Sequence, residues 1–493
     1  WAIRRERQGE PDQAMQLEVV DTPAIDSNEV LVLVMAAGVN YNGIWAGLGV
    51  PISMFDVHKQ PYHIAGSDAS GIVWAVGAKV KRWKVGDEVV IHCNQDDGDD
   101  EECNGGDPMY SPTQRIWGYE TPDGSFAQFT RVQSQQLMPR PKHLTWEESA
   151  CYTLTLATAY RMLFGHEPHE LKPGMNVLVW GASGGLGSYA IQLINAAGGN
   201  AIGVISEEDK RDFVMGLGAK GVLNRKDFNC WGPLPKVGSE EYKQWFNEVR
   251  KFGKAIWDIT GKGNNVDIVF EHPGEATFPV STFVCKKGGM VVICAGTTGF
   301  NCTFDVRYMW MHQKRLQGSH FAHLKQASAA NKLMLERRID QLEPQQPAAQ
   351  ILGPQPQGGA ALARHGSGGR GTREDRGAIR RRHLQDALRR LEPLPEPGPE
   401  PRPVTLARQR VEQRPRRAGR IDQPAVAEQQ DQRFNRRSCG LARRAFATEP
   451  AAQRSGQPQD QQGGQQRPRS GHKCPGNDRP VHHATARDRS GVA

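Results

Sequence analysis

The residues with the clearest chemistry are the glycines in Asn176 to Gly187, NVLVWGASGGLG. An apolar run, Val177 to Trp180, breaks at Gly181 into small residues, and helical apolar spacing follows at Leu186, Ala190, Leu193 and Ile194. Strand, glycine turn and helix in that order bring backbone amides and a positive helix end up to a pyrophosphate, because glycine has no Cβ in the way. Gly181, Ser183, Gly184, Gly185, Leu186 and Gly187 are the expected cofactor cradle; a tight turn that binds nothing is the alternative. The next expected strand, 201–205, ends at Ser206, where an NAD site places Asp or Glu on the ribose 2′-hydroxyl. Ser206 has no charge to repel a 2′-phosphate, and Lys210 with Arg211 could neutralise one. The expected cofactor is NADPH, against the alternative that both cations sit solvated on a helix face.

These groups need elements to carry them. Further strands are expected at 221–223, 266–270 and 290–294, with a helix over 252–261 and a polar insertion from Arg225 to about Lys254. The alternation of β and α predicts an α/β fold, a doubly wound Rossmann-type parallel sheet whose strand ends line the nicotinamide crevice. Helical spacing from Trp146 to Leu163 leads into it. Before that, LEVV (17–20), EVLVLVMAAGV (29–39), ASGIVWAVG (69–77) and DEVVIHC (87–93) have the strand spacing of a compact β-rich domain. An acidic loop, 96–102, reads as solvated surface because it lacks calcium-site spacing. It runs into Ile116 to Thr121, IWGYET, an aromatic pair beside a carboxylate, which fits either a functional loop or a packed Trp with a surface Glu.

Charge divides the 493 residues in two. Residues 1–340 hold 34 Lys and Arg against 39 Asp and Glu, and 341–493 hold 28 against 15, with 27 Arg, one Lys, no Trp and no Tyr. Such a tail cannot bury enough apolar surface to offset its ordering entropy, so it is expected to be disordered. Arg in place of Lys, with Pro, Ala and Gly, is the composition of GC-rich DNA read out of frame; a basic nucleic-acid arm is the less favoured reading. The scattered cysteines form no C-x-x-C pair, which points to a reducing, cytoplasmic compartment. No apolar run approaches a membrane span.

The layout resembles the medium-chain dehydrogenase/reductase superfamily over about 1–340. The resemblance implies a GroES-like catalytic domain at 1–150, with part of its return at 318–340, and an NADPH-binding domain at 151–317. Zinc members of that superfamily place Cys at the first glycine-centred site and Gly-His-Glu at the second. Asn40, Asn42 and Gly66-Ser67-Asp68 stand there instead, so no catalytic metal is expected. FEHPG (270–274), the acidic loop, IWGYET and RLQGSHFAH (315–323) together resemble the crotonyl-CoA carboxylase/reductases. That family adds hydride and CO2 to an α,β-unsaturated acyl-CoA, giving ethylmalonyl-CoA from crotonyl-CoA. The resemblance implies that Asn42 and His320 hold CO2, that Glu120 acts through a water and the His, and that Tyr119 shields the pocket. Where the family often has Phe, Tyr119 adds a hydroxyl that offers water a place. It also implies a homo-oligomer, a tetramer. A simple NADPH-dependent enoyl-thioester reductase and a non-catalytic product dominated by its basic tail are the rival readings.

Overall fold

The computed structural model describes residues 1–340; the expectations for 341–493 lie outside them. The first sheet is antiparallel, with strands β1 (Glu29–Ala37), β2 (Ala69–Val76), β3 (Glu88–Ile91), β4 (Phe129–Gln133) and β5 (Leu137–Pro139) in the order β4-β1-β2-β3-β5. β1 is apolar nearly throughout because both of its faces are covered, with Val30, Leu31, Val32 and Val34 all buried. Helix α1 (Tyr41–Leu48) follows it and stops at Gly49, which takes the left-handed conformation (φ 73°) that ends helices without a Cβ penalty. Leu17 to Val20, expected as a strand, does not form one. Only Gln16 bridges to Ala2, and Leu17 and Val19 are 78% and 103% exposed. An apolar stretch becomes a strand only where a neighbour completes its ladder.

The second sheet is wholly parallel. Its strands are β6 (Asn176–Val179), β7 (Asn200–Ile205), β8 (Gly221–Asn224), β9 (Val266–Glu271), β10 (Cys285–Ile293) and β11 (Arg315–Gly318), in the order β8-β7-β6-β9-β10-β11. The expected Rossmann-type sheet is therefore present. Its order reverses at β6, so the ligand crevice opens beyond the C-terminal ends of β6 and β9. Around it lie α2 (Thr153–Phe164), α3 (Gly185–Ala196), α4 (Glu240–Thr260) and α5 (Leu324–Leu335).

The second half of the polar insertion expected before Lys254 is the first two-thirds of α4. The helix opens where the Ser239 hydroxyl accepts from the Tyr242 amide at 3.2 Å. It buries one stripe, Trp245, Val249, Phe252 and Ile256. The outer faces are charged, and that polarity hid a 3.6-residue period. Phe252 stacks on Trp180 of the β6 end (centroids 5.9 Å, 14°) and meets Phe228 and Trp231 edge-on at 5.1 and 5.5 Å.

The segment from 318 to 340 fastens the two sheets together. Tyr152 donates its hydroxyl to Asn331 Oδ1 at 2.5 Å, Asn331 Nδ2 donates to the Pro139 carbonyl at 3.1 Å, and His92 Nε2 lies 2.7 Å from the Ala322 carbonyl. No helix among the described residues is long and apolar enough to cross a membrane. Phe252 is fully buried, so Phe252→Ala should cost about 3–5 kcal/mol of stability. A lower urea midpoint at unchanged slope would show it.

Candidate active site

The glycine turn has the geometry of a phosphate cradle. Gly181 sits at φ 55°, and a Cβ there would lie 2.7 Å from His272 Nε2. A Cβ on Gly187 would lie 2.4 Å from the Gly181 carbonyl oxygen, so only glycine lets α3 come this close to the turn. Gly184 and Gly185 are exposed, Ser183 and Leu186 half-buried. The first amides of α3 have no acceptor within the helix and are free for an anion.

Ser206 is exposed just past β7. Glu207, next to it, is ion-paired with Lys226 at 2.7 Å, which removes the charge that would repel a 2′-phosphate. Arg211 is already engaged by protein groups. Its guanidinium pairs with Glu208 and donates to the Val222 carbonyl at 2.7 Å, so it is held on the protein. Lys210 makes no ion pair among the described residues and is the available cation. Lys226, beyond β8, was missed because its partner lies 19 positions away. These residues fit a 2′-phosphorylated dinucleotide.

A second group gathers in the catalytic half. Asn42, on the first turn of α1, is 9% exposed and donates Nδ2 to Ser67 Oγ at 2.7 Å, while its Oδ1 is buried without a partner. Gly66, beside Ser67, touches the turn that carries Tyr119 and Glu120: a Cβ on Gly118 would lie 1.9 Å from the Gly66 carbonyl oxygen. Gly118 has φ 74°, so this contact and the turn both require glycine. Glu120 Oε2 accepts from the Ile116 amide at 2.8 Å, which folds the carboxylate back over its own turn. The Tyr119 hydroxyl directs its one proton to the Val50 and Ile52 carbonyls, at 2.7 and 3.1 Å, so backbone and not water takes that proton. Burial raises its pKa.

Asp68 follows Ser67 in the chain. It is fully buried and accepts from Thr153 Oγ1 and from Asn40 Nδ2 at 3.4 Å. Burial outweighs these bonds and pushes its carboxyl up to about 7.

His320 belongs to a different wall. A cavity of about 420 Å³ opens at the C-terminal ends of β10 and β11, lined by Met109, Tyr110, Arg161, Cys294, Ser319 and His320 among others. The His320 side chain is exposed where it lines this cavity. It makes no hydrogen bond among the described residues and meets Phe321 edge-on at 4.5 Å. Burial, then the Arg161 charge, lowers its pKa to about 4, so the imidazole is neutral. Phe321 packs into the core that contains Trp117 and Tyr119, which draws this wall toward the 118–120 turn. Asn42, Tyr119 and Glu120 do not line the cavity.

Arg161 was not singled out in the sequence because it reads as one more helix cation. It is buried, pairs with Asp107 at 2.6 Å and donates to Gln326 Oε1 at 3.1 Å, tying the acidic loop to α5. Arg307, Lys314 and Arg315, basic residues near the end of the body, are occupied by Asp305, by the Thr282 and Phe283 carbonyls and by the Glu167 carbonyl.

Residues 26–142 match the alcohol dehydrogenase GroES-like domain family, and 185–336 match the zinc-binding dehydrogenase family. Over 340 residues the chain is 89% identical to a crotonyl-CoA carboxylase/reductase of Cereibacter sphaeroides, covering 69% of this chain and 79% of that one. A solved crotonyl-CoA carboxylase/reductase superposes with TM-score 0.68 at 78% identity, covering 69% and 79%. The crotonyl-CoA carboxylase/reductase AntE, solved with NADP, superposes with TM-score 0.66 at 48% identity, covering 69% and 85%.

Two outcomes follow from these positions. Lys210→Ala should raise KM for NADPH about tenfold and leave that for NADH nearly unchanged, as expected for one exposed phosphate contact. Steady-state kinetics with both cofactors measure it. His320 binds its proton more weakly folded, at about 4, than unfolded, near 6.5. Its contribution to stability is therefore lost as pH falls through that window, and His320→Gln should gain stability relative to the parent between pH 7 and pH 5 in urea titrations.

Proposed function

The chain belongs to the crotonyl-CoA carboxylase/reductase family, and on that premise we propose how its residues carry out reductive carboxylation of an enoyl-CoA. The enzyme is an NADPH-dependent carboxylase/reductase. When bound, NADPH supplies the hydride that adds to the substrate Cβ. Negative charge then spreads over Cα and the thioester oxygen, and the chain must keep water from protonating Cα before CO2 reaches it.

Asn42 is the observation that carries this reading. A buried amide with an unpaired carbonyl oxygen, in the domain where zinc members hold metal, suits a neutral, weakly polar guest rather than an ion. We assign Asn42 and His320 to holding CO2. The neutral imidazole offers a donor without the acidic proton of an imidazolium, which would quench the enolate. Glu120 keeps one oxygen for an ordered water beside His320, and the Tyr119 ring, with its hydroxyl capped, closes the pocket. Gly181, Ser183, Gly184, Gly185, Leu186 and Gly187 hold the pyrophosphate, and Ser206 and Lys210 hold the 2′-phosphate. The proposed domains are 1–150 with the return at 318–340, and 151–317 for the cofactor.

We place the reaction in the cytoplasm, supported by the seven described cysteines, all free. We propose a homo-tetramer as the working unit. Phe300, Trp310 and Met311, each more than 60% exposed, support a subunit contact on that face.

With crotonyl-CoA, NADPH and bicarbonate plus carbonic anhydrase, the parent should release ethylmalonyl-CoA. Asn42→Ala and His320→Ala should each raise the butyryl-CoA share about tenfold or more, the loss of one or two stabilising contacts. Butyryl-CoA as the parent's main product would replace this reading with a simple enoyl-CoA reductase.

A further inference from the structure

An amide has two donor and two acceptor positions, and Asn42 uses one of them. Nδ2 donates to Ser67 Oγ at 2.7 Å, and Oδ1, at the other corner of the amide, is buried and unpaired among the described residues. Rotating the amide by half a turn would exchange the two atoms. A serine hydroxyl can pair with either atom, so what Ser67 fixes is where the amide sits.

We infer that Ser67 is a positioning residue for carboxylation, its hydroxyl holding the Asn42 amide so that a carbonyl edge, with one remaining N–H, is presented to CO2. This rests on the assignment of Asn42 to the CO2 pocket. The pairing is chemically matched. The electron-poor carbon of CO2 meets a carbonyl lone pair, and its weakly accepting oxygen meets the N–H.

Ser67 is built as a fixed reference. It is 1% exposed and stands between two constrained neighbours. Gly66 has φ 102°, and a Cβ there would lie 2.2 Å from Ser125 Oγ. On the other side, the Asp68 carbonyl accepts from the Gly38 amide at 3.0 Å, and its carboxyl accepts from Thr153 and Asn40. The Ser67 Oγ that Asn42 meets is thereby held in one place.

The test reads the ratio of ethylmalonyl-CoA to butyryl-CoA per NADPH oxidised, which a general loss of folded enzyme leaves unmoved. Ser67→Ala should raise the butyryl-CoA share about fivefold to tenfold, one hydrogen bond's worth of orientation. Ser67→Thr, which keeps the hydroxyl, should restore the parental ratio. In an Asn42→Ala background Ser67→Ala should change nothing further, since its effect passes through the amide. If Asn42→Ala shifts the ratio and Ser67→Ala does not, the role of Ser67 is overturned and that of Asn42 stands. An equal shift from Ser67→Ala in both backgrounds also overturns it. If neither substitution moves the ratio, the placing of Asn42 fails and takes this inference with it.

Discussion

The hydrogen bond between His92 and the carbonyl of Ala322 spans 230 positions of sequence and joins the segment that carries His320 to the end of β3. A carbonyl can only accept, so Nε2 must carry the proton. Burial holds this imidazole neutral by lowering its pKa to about 4, which leaves Nδ1 buried with a bare lone pair. The segment it anchors presents His320 two residues earlier and packs Phe321 against the core around Tyr119. Without that anchor the β11 end and the 118–120 turn would belong to two separate surfaces.

Around this seam the polar interior is consistently kept neutral or internally paired. Asp68 and Glu271 are both fully buried carboxyls pushed up to about 7 by burial, each surrounded by donors. Glu271 accepts from Thr277 and Ser281, and Ser281 in turn accepts from the Trp180 indole, so the floor beneath the glycine turn is one network. A site that must stabilise a carbanion and a neutral gas gains from surroundings with few free charges, since each free charge would draw water in.

Much of this was legible in the sequence. The glycine turn, the strand ends and the parallel sheet all follow from local patterns of one strand or one turn. What stayed hidden was pairing between distant positions. The α4 stripe was masked by charges on its outer faces. Arg211 looked free because the Val222 carbonyl that holds it lies on another element, and Glu207 looked unfavourable because Lys226 was not visible beside it. The Tyr119 hydroxyl could be weighed only once the Val50 and Ile52 carbonyls were found above it. Side-chain destinations are tertiary facts, and residue type fixes only what a side chain is able to do.

The contact of Gly118 with Gly66 sets a boundary for redesign of this scaffold. Two backbones meet there with no room for a methyl group, and Asn42, Ser67 and the Tyr119–Glu120 turn are all referenced to that point. The side chains that line the cavity, Met109, Tyr110 and Cys294 among them, carry no such main-chain limit. Redesign can therefore proceed residue by residue at the cavity, while the 118–120 turn is fixed by main-chain contact.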